Sequence, residues 1–295
     1  MKLSIIIPAV NGQEILEESL QLILDNSVTN PEIILIDNGS QNILEYENEK
    51  QNIKIIRNEK NIGNYPTFKQ GLELSSGDII AYLHSDLFIE ERGWDQRVLD
   101  SFRDYPKLGL LGFVGSNEID GLGGRGSGTR SNMQGQLHGG FQGSKASDHG
   151  IVTFSYNKGA VVDGCSMIFR RESLERIGFR ENFPLHHFYD RLMSCQILEA
   201  GYEVAILGIA FDHISGVTSN TSSEYQEITN QWFKENYNVS ELSEFLNIPG
   251  IKEFMIKRYG KEDIPHSWDE ANYWLAEKMF LEEYRDKKHL IPIKI

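Results

Sequence analysis

The chain has 295 residues, a length at which one large α/β domain with a tail is expected, because single hydrophobic cores stop growing near ~250–300 residues. Hydrophobic residues make up 40% of the chain and charged residues 24%, which predicts a packed core and argues against disorder. The formal net charge of −14 argues against binding to nucleic acid or anionic lipid through a general basic surface, although a local basic cleft stays open.

The first residues lead directly into a strand. Residues 3–7 form an apolar run that ends at Pro8, which is too short for a signal peptide. No run in the sequence approaches the ~20 apolar residues that span a membrane, so we expect a cytoplasmic protein. The only cysteines, Cys165 and Cys195, lack the spacing of a zinc site and are expected to be reduced residues of the core.

Strands and helices alternate in the first part of the chain. Short, mainly apolar runs predict strands at residues 3–7, 33–36, 53–56 and 79–83, and strands without polar alternation are expected to be buried on both faces. A helix is predicted over 13–24, and a second one begins at Asn64, which can serve as its cap, with Pro66 close to its first turn. Buried strands that alternate with helices imply a mostly parallel sheet flanked by helices.

Polar residues follow three of these strands, at the point where each strand ends. They lie at residues 8–11, 37–40 and 84–86. In parallel α/β sheets, ligands bind beyond the carboxyl ends of the strands. We therefore expect these three segments to converge on one crevice.

The second part of the chain is less regular. Residues 115–150 are rich in Gly, Ser, Asn and Gln, which predicts a flexible loop that is either a flap on the acceptor side or a plain insertion. Further strands are expected at 161–169 and Glu203–Leu207, and helices at 172–177 and 189–200. From residue 222 the chain has helical patches, such as 271–284, that we expect to pack on the core or meet a partner.

No glycine-rich phosphate-binding loop occurs at a strand–helix junction, so dinucleotide and P-loop binding are disfavoured. A divalent cation is the remaining common way to neutralise a diphosphate. Mg²⁺ and Mn²⁺ favour oxygen ligands, and Mn²⁺ also tolerates imidazole. Asp86, directly after a buried strand, and His213, beyond the strand that ends at Leu207, are the candidate ligands.

Several motifs together resemble the family 2 glycosyltransferases of the GT-A fold. They are SIIIP at residues 4–8 with Asn11, LIDNGS at 35–40, NIGN at 61–64, SGDIIAYLHSD at 76–86, DGCSMIFRR at 163–171, Tyr189-Asp190, AGY at 200–202 and His213. The resemblance covers roughly residues 3–215, and the order and spacing of the motifs make it more specific than any single one.

The resemblance implies a GT-A domain over residues 1–221, followed by a helical C-terminal extension over 222–295. Within that domain, residues 1–114 would hold the nucleotide-sugar, 115–150 the flexible loop, and 151–221 the acceptor and catalytic half.

The same resemblance implies roles for individual residues. The nucleotide-sugar-binding set is Pro8, Asn11, Asp37, Asn64, Lys69, His84, Ser85, Asp86, Asp163 and Gly164. In it, Pro8 and Asn11 line the base and ribose, and Asp37 hydrogen-bonds the base. Asp86 matches the last acid of the D-x-D motif and would bind Mn²⁺ or Mg²⁺ together with His213. Asp190 matches the catalytic base.

Two residues depart from the family pattern. His84 replaces the first acid of D-x-D, and Tyr189 stands where the family has a glutamate before Asp190. The prediction is metal-dependent, inverting transfer of one sugar from a UDP- or GDP-sugar to a hydroxyl of a carbohydrate or glycoconjugate. The alternative is a catalytically impaired protein of this fold that still binds nucleotide-sugar or carbohydrate. Oligomeric state and peripheral association with a membrane stay open.

Two related activities are disfavoured. A processive polysaccharide synthase would carry a Gln-x-x-Arg-Trp motif and membrane helices, and the sequence has neither. A nucleotidyltransferase would carry a basic, glycine-rich loop after the first strand, but residues 8–12 contain no Lys or Arg.

Overall fold

A computed structural model of the chain describes residues 1–46, 53–120, 129–131, 151–214, 223–284, 287 and 293–294. The strands are β1 (Leu3–Ala9), β2 (Glu32–Asp37), β3 (Ile53–Arg57), β4 (Ile79–Leu83), β5 (Leu87–Ile89), β6 (Leu108–Gly112), β7 (Val114–Ser116), β8 (Ile119–Asp120), β9 (Thr129–Ser131), β10 (Ile151–Val152), β11 (Tyr156–Gly159), β12 (Val161–Val162), β13 (Ser166–Arg170), β14 (Glu203–Leu207), β15 (Phe211–His213) and β16 (Ile293–Lys294). The helices are α1 (Gln13–Asn26), α2 (Asn64–Leu74), α3 (Trp94–Asp104), α4 (Arg171–Ile177), α5 (Tyr189–Glu199), α6 (Ser223–Tyr237), α7 (Ile251–Tyr259) and α8 (Trp268–Tyr284), with a 3-10 helix at Leu242–Asn247.

The main sheet has eight strands in the order β11-β14-β6-β13-β4-β1-β2-β3. β4, β1, β2 and β3 run parallel to one another, and β14 runs parallel to β6. β13 is antiparallel to both of its neighbours, and β11 is antiparallel to β14. The mostly parallel sheet flanked by helices that the sequence predicts is thus confirmed.

Burial on both faces explains why the central strands have no polar alternation. Side chains of a strand point alternately to opposite faces. In β1, Ile5 and Ile7 pack in one core with α1 and α3, whereas Ile6 packs in the other core with α2 and α5. Each face of the sheet is therefore covered by helices, and every position of β1 is buried.

The structure corrects three details of the predicted elements. Gly63, with φ +86°, occupies the N-cap position of α2, so Asn64 is its first residue and not its cap. The single strand expected at 161–169 is two strands in different sheets, β12 and β13, separated by a turn. That turn is closed by Ser166 N–H, which donates to the Asp163 carbonyl at 3.3 Å. The sequence did not predict β5, α3 and β6.

The described part of the C-terminal region is helical and packs on the main domain. Ala276, Phe280 and Tyr284 of α8 join the core formed with α2 and α5, while Trp268 and Trp274 join a separate cluster with α6 and α7. α8 therefore connects two cores. Among the described residues, no helix combines the length and apolar composition needed to cross a membrane.

Most of the predicted loop at 115–150 lies outside the described residues. The parts of it that are described, 115–120 and 129–131, contribute to β7, β8 and β9. β7 and β9 form a four-stranded sheet with β10 and β12, and β8 pairs with β16.

The turn after β2 is tightly built around Gly39 and Asp37. Gly39 has φ +83°, and a Cβ there would overlap the backbone of Lys60 and Asn61. The buried Asp37 carboxylate accepts hydrogen bonds from Ser40 N–H at 2.9 Å and Leu44 N–H at 3.2 Å, and it forms an ion pair with Arg57. Burial alone would raise the pKa of Asp37, but these hydrogen bonds outweigh it and lower the pKa.

Gly39→Ala is expected to destabilise the protein by about 1–3 kcal/mol beyond the cost of the positive φ, because the new methyl group has no room. Urea unfolding followed by circular dichroism measures this loss. Gly260→Ala is the matched control, since Gly260 also has a positive φ (+76°) but nothing within 4 Å of the added Cβ. Equal losses for the two variants would show that the close approach at Gly39 is unimportant.

Arg57→Met is expected to lower the free energy of unfolding by about 1–2 kcal/mol at pH 7, because it leaves a buried carboxylate without its counter-charge. The loss stays modest because 36% of the Arg57 side chain is exposed. The folded-state pKa of Asp37 is lowered, so its stabilisation is present above the ordinary Asp pKa of ~3.9 and disappears as the pH falls through the folded value.

The difference between wild type and Arg57→Met should therefore shrink when urea unfolding is repeated at pH values below about 4. Arg103→Met is the control, because Arg103 pairs with Asp100 and Asp104 at the surface, where removal of the pair should leave the stability unchanged. A pH-independent loss for Arg57→Met would contradict the role of the ion pair.

Candidate active site

The polar ends of the central strands meet, as predicted, at one edge of the sheet. β1 lies between β2 and β4 and is parallel to both. Asn38 N–H donates to the Ala9 carbonyl at 2.8 Å, and Asn11 N–H donates to Ser40 Oγ at 2.8 Å. Asn11 adopts φ +55°, a left-handed conformation that asparagine tolerates better than most residues. These contacts join the turns after β1 and β2 on one side of a crevice.

A short antiparallel pair of strands brings His213 to the end of β4. Leu87 N–H donates to the His84 carbonyl at 3.3 Å, so residues 84–87 form a turn that leads from β4 into β5. β15 pairs with β5, and His213 lies directly opposite Leu87. Ile214 N–H donates to the Asp86 carbonyl at 3.2 Å and extends this pairing. Asp86 and His213 are therefore neighbours although they are far apart in the chain.

His84, Asp86 and His213 form a compact cluster. One ligand atom from each side chain lies within 4.8 Å of the corresponding atoms of the other two. Asp86 Oδ1 is 3.3 Å from His213 Nε2 and 3.9 Å from His84 Nδ1. His213 Nε2 is buried and has no hydrogen-bond partner among the described residues, despite its closeness to Asp86. A buried imidazole nitrogen that faces a carboxylate without a hydrogen bond is the arrangement expected of ligands that surround a cation.

The cluster also perturbs the protonation of its members. Burial would raise the pKa of Asp86, but the His213 and His84 imidazoles outweigh it and lower the pKa. Burial would lower the pKa of His213, but the Asp86 carboxylate outweighs it and raises the pKa. For His84, burial dominates and lowers the pKa, despite the opposing charge of Asp86. Without a cation, Asp86 and His213 thus stabilise each other as an ion pair.

Asp163, Gly164 and Asp190 border the same cluster. The charge of Asp163 acts on both His84 and His213, and that of Asp190 acts on His84. Asp163 Oδ1 also accepts a hydrogen bond from Cys165 N–H at 2.9 Å. Asp190 lies in the first turn of α5, is partly exposed, and accepts a hydrogen bond from Arg191 N–H at 2.8 Å.

Tyr189, the residue before Asp190, makes a contact with His84 that the sequence did not predict. Its Oη lies 3.2 Å from His84 Nε2. A Cβ on Gly164 would overlap the Tyr189 hydroxyl, so this close approach needs glycine there. Burial raises the pKa of Tyr189 well above its usual range. No feature of spacing could have found this contact, because it joins residues 105 positions apart.

The start of α5 is held by the C-terminal region. Phe188 caps α5 in a left-handed conformation with φ +62°. Its ring packs against Tyr273 and Phe280 of α8, with centroid separations of 5.2 and 5.7 Å, and the Arg191 guanidinium lies 4.3 Å from its centroid. His187 Nε2 lies 2.7 Å from Asp269 Oδ1 of α8. α8 thus fixes the segment that delivers Tyr189 and Asp190 to the crevice.

The remaining residues of the predicted nucleotide-sugar-binding set range from fully buried to exposed. Pro8 is buried within β1, which continues past it to Ala9 because pairing with β4 already ends at Ile6. Asp37 is fully buried, and its carboxylate accepts hydrogen bonds from the backbone of the turn and forms an ion pair with Arg57. The sequence did not predict Arg57 as its partner. The base contact inferred for Asp37 stays a prediction.

Three further members of that set lie on α2 or in the turn after β4. Asn64 and Ser85 are partly exposed beside the crevice-forming segments. Lys69 is exposed on α2, and no hydrogen bond or ion pair of the described residues connects it with the cluster.

Several solved structures are similar to this chain. Mannosyltransferase PcManGT from Pyrobaculum calidifontis, in complex with GDP-Man and Mn²⁺, matches 96% of this chain and 74% of its own, with a TM-score of 0.50 and 12% identity. S. aureus TarS matches 84% of this chain with a TM-score of 0.48 and 16% identity, and the match spans 40% of the TarS chain. TarS 1–349 in complex with UDP-GlcNAc matches 96% of this chain and 92% of its own, with a TM-score of 0.48 and 13% identity.

No curated protein sequence matches the chain. The family model described as glycosyl transferase family 2 matches residues 4–178, which is more than half of the 295 residues. This range includes β1 to β4, His84 and Asp86, whereas Asp190, His213 and the C-terminal helices lie beyond it. The chain belongs to glycosyl transferase family 2 and is a glycosyltransferase with the GT-A fold.

Proposed function

We propose that the protein transfers a single sugar from a nucleoside-diphosphate sugar to an acceptor hydroxyl, with inversion at the anomeric carbon and with the help of a divalent cation. The observation that carries this proposal is the cluster of His84, Asp86 and His213 beside Asp190. It lies at the carboxyl edge of the sheet, where ligands of parallel α/β folds bind.

Asp86 and His213 would hold Mn²⁺ or Mg²⁺. The buried Nε2 atom of His213 lies 3.3 Å from Asp86 Oδ1 and forms no hydrogen bond among the described residues, which supports this assignment. A bound cation supplies Lewis-acid stabilisation of the negative charge on the departing diphosphate. The similar structure with GDP-Man and Mn²⁺ supports a nucleoside-diphosphate sugar as donor, and the proposed donor is a GDP- or UDP-sugar. The net charge of −14 favours a cation in this role, because the chain offers no general basic surface for a diphosphate.

Asp190 would act as the base. It lies in the first turn of α5, is partly exposed, and its charge acts on His84 of the cluster. The carboxylate takes the proton from the acceptor hydroxyl while that oxygen bonds to the anomeric carbon, and the bond from this carbon to the diphosphate breaks. Attack opposite the leaving group by one activated hydroxyl inverts the anomeric centre.

The proposed function assigns a role to each part of the chain. Residues 1–114 form the donor half, 151–221 the catalytic and acceptor half, and 222–295 a helical extension. The acceptor is a carbohydrate or glycoconjugate, and the protein acts in the cytoplasm. If the acceptor is anchored in a membrane, the protein would associate peripherally with that membrane.

A panel of UDP- and GDP-sugars tests the activity without a known acceptor, because slow hydrolysis of the donor releases the nucleoside diphosphate. Release should require Mn²⁺ or Mg²⁺ with the wild type, and Asp86→Ala should lose the metal-dependent part. Asp100→Ala, which removes an exposed carboxylate of α3, is the control and should behave as wild type. Binding of donor without release from any member of the panel would support the impaired alternative.

Asp190→Asn is expected to slow donor hydrolysis by about 10²–10⁴-fold, the usual contribution of a general base. Its Kd for UDP or GDP in the presence of Mn²⁺, measured by calorimetry, should stay close to the wild-type value. The same pair of measurements on Asp100→Asn provides the control. Unchanged turnover by Asp190→Asn would remove this residue from the role of base.

A further inference from the structure

The two positions that depart from the family pattern are in contact with each other. His84 Nε2 and Tyr189 Oη are 3.2 Å apart, although the residues lie on different motifs of the chain. This contact occupies one nitrogen of the imidazole. The other nitrogen, Nδ1, lies 3.9 Å from the Asp86 carboxylate, on the side of the candidate metal ligands.

Such a division between the two ring nitrogens is what a metal-binding histidine requires. An imidazole that offers the Nδ1 lone pair to a cation carries its proton on Nε2, and that N–H needs an acceptor. With the proton on Nε2, the Tyr189 hydroxyl 3.2 Å away is the group that accepts the hydrogen bond.

Tyr189 is held firmly enough to orient a ligand. It is 5% exposed, and its ring packs edge-on against Phe68 with a centroid separation of 5.4 Å. Gly164 leaves the space that the hydroxyl occupies. Phe188, the residue before Tyr189, packs against Tyr273 and Phe280 of α8. Packing against α2 and against α8 therefore sets the position of Tyr189.

We propose that His84 is a third ligand of the cation, that Tyr189 is the positioning residue that orients it, and that the resulting set of two imidazoles and one carboxylate selects Mn²⁺ or a similar transition-metal ion over Mg²⁺. This proposal rests on the metal site of the proposed function and goes beyond it. Imidazole nitrogen binds first-row transition ions better than Mg²⁺, which favours oxygen ligands. The replacement of an acid by His84 therefore changes which ion is bound and does not abolish the site.

Titration of the full chain with Mn²⁺ alone, followed by the electron paramagnetic resonance signal of free Mn²⁺, measures the affinity directly. Tyr189→Phe removes only the hydroxyl and should weaken Mn²⁺ binding by about 10-fold, the lower range for loss of a partner that orients a ligand. His84→Ala should weaken it at least as much. Competition with Mg²⁺ should show a preference for Mn²⁺ in the wild type that both variants reduce.

Tyr82→Phe is the matched control, because Tyr82 is also a buried tyrosine whose hydroxyl forms a hydrogen bond, here to the Phe68 carbonyl at 2.6 Å. It should keep the wild-type affinity and ion preference. Circular dichroism confirms that each variant is folded, and His84→Ala keeps the test valid if Tyr189→Phe does not fold.

The outcomes separate this inference from the proposed function. If His84→Ala or a folded Tyr189→Phe binds Mn²⁺ as tightly as wild type, the third ligand or its positioning is overturned while the site at Asp86 stands. Equal wild-type affinities for Mg²⁺ and Mn²⁺ would overturn the ion selection. If Asp86→Ala also keeps the wild-type affinity, the metal site of the proposed function fails as well.

Discussion

The pairing of β5 with β15 is the constraint on which the candidate metal site depends. β4 delivers His84 and Asp86 to the edge of the sheet, but neither residue can complete a site alone. The pairing sets His213 opposite Leu87 and so fixes its imidazole beside the Asp86 carboxylate. The ladder is antiparallel and three residues long, and Leu87 and Phe211 within it are fully buried.

Electrostatics in the crevice follow from this geometry. Carboxylates from four segments, at Asp86, Asp163, Asp190 and Asp212, act on the two histidines. In an acidic protein, such a concentration of negative charge repels a diphosphate unless a cation lies between them. Asp37 is different, because its charge is already balanced by Arg57 and by hydrogen bonds from the turn that it supports. Aspartate thus has a structural role after β2 and, in the proposed function, a metal-binding role after β4.

The C-terminal helices extend the active-site scaffold beyond the family match. α8 packs against α5 and holds Phe188 in a left-handed conformation that costs free energy and persists only when its surroundings support it. Tyr189 and Asp190 follow directly, so a displacement of α8 would move a residue that contacts His84 and the candidate base together. The contact of His187 with Asp269 of α8 also holds this segment. A region whose sequence carries no chemical motif therefore determines the geometry of two residues that do.

The sequence by itself determined the sheet and the edge at which ligands bind. Runs such as 33–36 and 79–83 are apolar at every position, which requires burial on both faces and hence helices on both sides. The same pattern places Asp86 directly after a buried strand. The family resemblance named His213 and Asp86 as joint ligands, but only the tertiary structure decided the geometry in which they meet. It alone also decided that Tyr189 contacts His84 and that Arg57 forms an ion pair with Asp37. These contacts join segments separated by up to 127 positions, and their geometry depends on strand register, backbone turns and the packing of α8, none of which leaves a periodic signal in the amino-acid sequence.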